Sequence, residues 1–102
     1  MIHINNLYHQ NEPTENGEIF TTLFQNDSLK IESIRSWLKT PGEIYDQAQD
    51  EWVILLNGEA ELEINTLTVT LRSGDYCLIP KHTLHRVRST SKNALWLTVF
   101  SS

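Results

Sequence analysis

Apolar and polar residues alternate with a period of two along much of this chain, and no stretch shows the three-to-four spacing of a helix of ordinary length. In segment 59–64, Ala60, Leu62 and Ile64 oppose Glu59, Glu61 and Glu63; past Asn65, Leu67, Val69 and Leu71 oppose Thr66, Thr68 and Thr70. That pairing predicts a hairpin with one dry face and its glutamates in water. Segment 52–56 is instead continuously apolar, as in a strand covered on both faces, with the second cover expected from an N-terminal strand or a second subunit. The turn Asn57, Gly58 closes it.

Other strands are expected at 19–24 and 29–38, joined through Asn26 and Asp27. The second alternates imperfectly, with Leu29, Ile31, Ser33, Arg35 and Trp37 against Lys30, Glu32, Ile34, Ser36 and Leu38. Ser73, Gly74 and Asp75 turn the chain into a strand at 76–79, which Pro80 ends because it has no ladder donor. Strands at 83–88 and 94–100, separated by the polar run 89–93, complete the set. The polar segment 11–17, with Pro13 and Gly17, reads as a loop after a short N-terminal strand. Many short strands at near-regular spacing predict an all-β sandwich or closed barrel.

The chain has 102 residues, enough for one core, so 1–102 is read as one domain: an N-terminal strand and loop at 1–17 and a β body at 18–100. A net charge of -5 opposes nucleic-acid binding, which needs clustered cations. Lys81, Arg86 and Arg88 form one small basic group, read as a solvated strand face. The sole cysteine, Cys77, forms no internal disulfide; it reads as a small core residue in a reducing, cytoplasmic setting. No window approaches the ~20 apolar residues of a membrane span. Trp37, Trp52 and Trp96 read as core or interface anchors, and His3 and His9 as surface residues.

Chemistry-bearing residues gather in two places. Glu51 heads the apolar strand, with Tyr45 and Gln47 just before it sharing one face, while His82 and His85 follow Pro80. Glu51 has the parity of Val53 and Leu55, and His85 that of Thr83 and Val87, so both are expected to point inward. Asp46 and Asp50 read as turn caps. A buried carboxylate and imidazole need partners, so the pair is either a functional site or an internal fastening between strands.

The spacing from Glu51 to Gly58, and that of Gly74, Pro80 and His85, resembles the two motifs of the cupin superfamily, and the surrounding residues resemble small single-domain bacterial cupins over 18–100. The resemblance implies a double-stranded β-helix, or jelly-roll barrel, and a divalent ion such as iron, manganese, nickel or zinc held by Gln47, Glu51, His82 and His85. Tyr45 and His82 would then move protons. The chain departs from the family where its two first-motif histidines fall on Tyr45 and Gln47, and where His82 replaces a glycine. Two functions therefore stay open: a metal-dependent enzyme acting on a small polar molecule, or a metal-free module binding a sugar or organic acid. The resemblance further implies a homodimer; the net charge and the lack of a long apolar window lead to an expectation of neither nucleic acid nor membrane as partner.

Overall fold

The computed structural model describes residues 1–102. It holds eight strands: β1 (Gly17–Gln25), β2 (Leu29–Trp37), β3 (Asp50–Asn57), β4 (Glu59–Ile64), β5 (Leu67–Arg72), β6 (Tyr76–Ile79), β7 (His85–Thr90) and β8 (Ala94–Ser101). They pair antiparallel in two sheets, ordered β1-β2-β8-β3-β6 and β5-β4-β7. This is the all-β, two-sheet architecture that the alternation predicts, and the jelly-roll barrel that the resemblance implies. No helix is long and apolar enough to cross a membrane.

The core forms where every second residue of both sheets turns inward. Val53, Leu55, Ile79 and Trp96 from the larger sheet meet Ala60, Leu62 and Leu71 from the smaller, and Leu55 is fully buried. Register carries the same parity from strand to strand. Glu51 lies opposite Phe100 and Ile79, Val53 opposite Thr98 and Cys77, and Leu55 opposite Trp96. Cys77 packs half-buried against this core, as expected of a small apolar residue.

The second cover over β3 is partial. Trp52, Ile54 and Leu56 are only half-buried on the outer side, where Trp52 tilts against Tyr76. The expected N-terminal strand is absent. In its place Leu7–His9 forms one 3-10 turn, because Asn6 Oδ1 accepts from the Tyr8 N–H at 2.8 Å and satisfies locally a group that a strand would need a neighbour to pair. This segment is tied to β2 by Arg35, which donates to the Tyr8 carbonyl at 3.0 Å and lies 3.6 Å from Glu12.

Along β4, Glu59 and Glu61 face solvent as the pattern requires. Glu63 does not: it is half-buried and receives Arg86 at 3.4 Å and Arg88 at 2.9 Å. The basic group is thereby committed to the outer side of β7, leaving the opposite parity, His85 and Val87, for the interior.

Gly58 marks the passage of the chain between sheets. Its φ of +97° is left-handed, and a Cβ there would stand 2.6 Å from Ser91 Oγ and 3.1 Å from Ala94 Cα. Leu55→Ala is expected to lower the unfolding free energy by about 2–5 kcal/mol, and Gly58→Ala by about 1–3 kcal/mol. Urea denaturation measures both; a loss under about 0.5 kcal/mol at either position, the range of surface substitutions, would contradict this packing.

Candidate functional site

Loop 40–49 is held against β7 by its backbone. The Tyr45 N–H donates to the His85 carbonyl at 2.8 Å, the His85 N–H donates back at 3.1 Å, and the Gln47 carbonyl accepts from the His82 N–H at 2.8 Å. These bonds fix Tyr45 and Gln47 over the end of the barrel, with the Tyr45 ring centroid 5.9 Å from that of His85. Asp50 Oδ1 accepts from the Lys81 N–H at 2.9 Å, holding together the two segments that carry Glu51 and His85.

Glu51 is 8% exposed and His85 7%. Glu51 Oε1 accepts from Gln47 Nε2 at 2.8 Å and lies 3.3 Å from His85 Nε2. On the other side of the ring, His85 Nδ1 lies 2.9 Å from the Thr83 carbonyl, which can only accept, so Nδ1 carries a proton. A neutral ring would therefore set a bare Nε2 against a carboxylate oxygen. Burial opposes charging His85, but the Glu51 hydrogen bond, the Thr83 carbonyl and the Glu51 charge outweigh it, raising the pKa from its ordinary 6.5.

These groups line one cavity of about 130 Å³, roughly ten times what a single water requires. Tyr45, 41% exposed, and Phe20 stand at its rim; Val53, Trp96 and Phe100 form part of its apolar wall. Burial pushes the Tyr45 phenol up, and Glu18, Glu43, Glu32 and Glu51 push it further, so it keeps its proton and can donate. Four of the five residues singled out in the sequence thus come together: Tyr45, Gln47, Glu51 and His85.

His82 does not join them. Its φ of +57° turns the ring away from the cavity, its side chain is 67% exposed, and Nδ1 lies 3.3 Å from Asp46 Oδ1. From there it is not among the residues that line the lumen. Conversely, Glu18 and Glu32 line the cavity although nothing in the sequence marked them as site residues. The available signal was parity, since Glu32 shares a face of β2 with Ile34 and Ser36, and Ser36 lies opposite Glu18. Ser36 Oγ donates to Glu18 Oε2 at 2.6 Å.

A model of the cupin domain family matches residues 39–100, more than half of the chain. This chain belongs to the cupin family. A solved structure from Ralstonia eutropha, provisionally named a mannose-6-phosphate isomerase, is 33% identical over 99% of both chains with a TM-score of 0.84. KdgF from Halomonas sp. is 20% identical, covering 95% of this chain and 89% of its own, with a TM-score of 0.81. A cupin superfamily protein from Desulfitobacterium hafniense is also 20% identical, covering 93% and 86%, with a TM-score of 0.82. The last two likenesses establish the fold alone. No protein of curated function matches the chain.

The donors present in this cupin do not fit a resident transition-metal ion. Its cavity brings one imidazole into contact with one carboxylate, keeps the other two lining carboxylates, Glu18 and Glu32, out of that cluster, and adds only a neutral amide, a weak ligand for such ions, and a phenol that holds its proton. No three His, Cys, Asp or Glu side chains gather as a metal cage. Geometry supports hydrogen bonding and proton transfer.

Because the folded pKa of His85 is raised, its pairing with Glu51 stabilises the cupin fully below about pH 6.5, the unfolded imidazole value. That contribution fades as pH climbs through the higher folded value. An NMR titration should place the His85 midpoint above 6.5 and move it down in Glu51→Gln, whose destabilisation should shrink in alkali. A midpoint at or below 6.5 in the wild type would contradict the pairing.

Proposed function

We propose that this cupin is a metal-free binding barrel that holds one small polar molecule, of the size and polarity of a sugar, at the end of its lumen. The supporting observation is the position of Glu51 Oε1, shared between the Gln47 amide and His85 Nε2 on the wall of an apolar cavity. Such a floor presents fixed acceptors and donors to a hydroxyl or carbonyl, and the aliphatic and aromatic wall takes its carbon skeleton. Tyr45 reaches the same molecule from the rim. The site is concave and mostly apolar with a few convergent polar groups, as ligand sites are.

A second reading is favoured by one observation from the comparisons, the 33% identity to the protein provisionally named a mannose-6-phosphate isomerase. In that reading a protonated His85 Nε2 polarises a sugar carbonyl while Glu51 accepts a proton, and the same pair that binds also reacts. The binding reading is preferred because Glu51 has both its near partners inside the protein.

Titration calorimetry against a panel of small sugars and polyols, on tag-free protein checked for metals by elemental analysis, tests the proposal. Binding by metal-free wild type is expected, with His85→Gln and Glu51→Gln each weakening it more than about tenfold while circular dichroism stays unchanged. Binding that appears only after a divalent ion is added, and vanishes with chelator, would overturn the metal-free reading. Turnover of a bound sugar, followed by NMR with chelator present, would move the assignment to the isomerase reading.

A further inference from the structure

The cavity has an unbalanced charge that its catalytic-looking corner does not explain. Besides Glu51 it is lined by Glu18 and Glu32, and by no lysine or arginine. Glu51 faces His85, so two carboxylates remain without a cation among the lining residues. Lys30 reaches Glu32 at 3.3 Å, but from a half-open position outside the lining. Arg86 and Arg88, the nearest basic residues in sequence to His85, are spent on Glu63.

Both carboxylates are structural parts of the wall. Glu18 is fixed by the Ser36 hydroxyl at 2.6 Å, and Glu32 is 8% exposed on the neighbouring strand, two residues from Ile34, which also lines the cavity. Burial raises the Glu18 pKa, the Ser36 bond pulls it back in part, and Glu32 raises it again. Glu32 therefore already disfavours the Glu18 charge. A phosphate or a third free carboxylate entering this space would meet like charge at low dielectric, with His85, already paired to Glu51, as the one cationic side chain of the lining and Lys30 reaching Glu32 only from outside it. A neutral hydroxyl has the opposite effect, donating its hydrogen to a carboxylate that lacks a full set of partners.

We propose that the lumen selects uncharged polyhydroxylated molecules and rejects their phosphate esters and acids, with Glu18 and Glu32 as the residues that set this selectivity. The inference rests on the reading of the cavity as a small-molecule site and names the class of its ligand. It separates this chain's ligand from that implied by its neighbour's provisional name.

The experiment is a calorimetric comparison of neutral sugars and linear polyols with matched phosphates and uronic acids, mannose against mannose 6-phosphate among them, at low ionic strength and neutral pH. Wild type should bind at least one neutral compound more than about tenfold more tightly than its charged counterpart. Glu18→Gln, which keeps the acceptor for Ser36, and Glu32→Gln should each narrow that ratio. A phosphate or acid bound as tightly as the neutral compound, or a ratio unmoved in both folded variants, would overturn the selectivity while leaving the binding site standing. Failure of every compound of both classes to bind folded protein would defeat the binding reading itself, and this inference with it.

Discussion

A carboxylate taken out of water has to find partners inside the protein, and the rest of the site follows from how Glu51 finds them. Gln47 reaches it from the preceding loop and His85 from the far sheet, so one oxygen collects an amide and an imidazole from separate parts of the chain. Removing either partner would leave a buried charge short of a contact, which is far more damaging than the modest net value of the pair itself. The backbone bridge between Tyr45 and His85 and the Asp50 bond to Lys81 hold the three segments close enough for this to happen. The barrel supplies the remaining condition, an interior that leaves Glu51 and His85 each less than a tenth exposed.

The same arrangement decides which chemistry is available. His85 has one nitrogen committed to a carbonyl and the other facing a carboxylate, a setting that favours the charged ring over the neutral ring a metal would need. Gln47 and Tyr45 stand where the wider family places histidines; Gln47 donates to Glu51, and Tyr45 keeps its phenolic proton. A fold that elsewhere cradles an ion is thus left with a dry-walled pocket, a proton-holding pair and a surplus of acid. Fold alone would not have distinguished these cases.

Much of this was legible in the chain because strand parity is a local property. The alternation at 59–64 fixed which side of β4 is dry, and Glu51 and His85 were placed inward by the parity of Val53, Leu55 and Val87. Glu18 and Glu32 were not, since their approach to the cavity depends on the pairing of β1 with β2 and of β2 with β8, contacts between residues far apart in sequence. An imperfect alternation in β2 hid which face was interior. His82 misled for the converse reason: its neighbours in sequence belong to the site, but a left-handed backbone and a bond to the Gln47 carbonyl send its ring to solvent beside Asp46. The N-terminal segment read as a strand because it is apolar enough, while Asn6 supplies a local partner that closes a turn instead.

The central claim is that Glu51 and His85 act as one buried, interacting unit, and a double-mutant cycle tests it most directly. Unfolding free energies of wild type, Glu51→Gln, His85→Gln and the double variant, measured by urea denaturation near pH 5.5, should be non-additive by at least about 1 kcal/mol. Additivity within about 0.3 kcal/mol would show that the two side chains do not sense each other and would contradict the account.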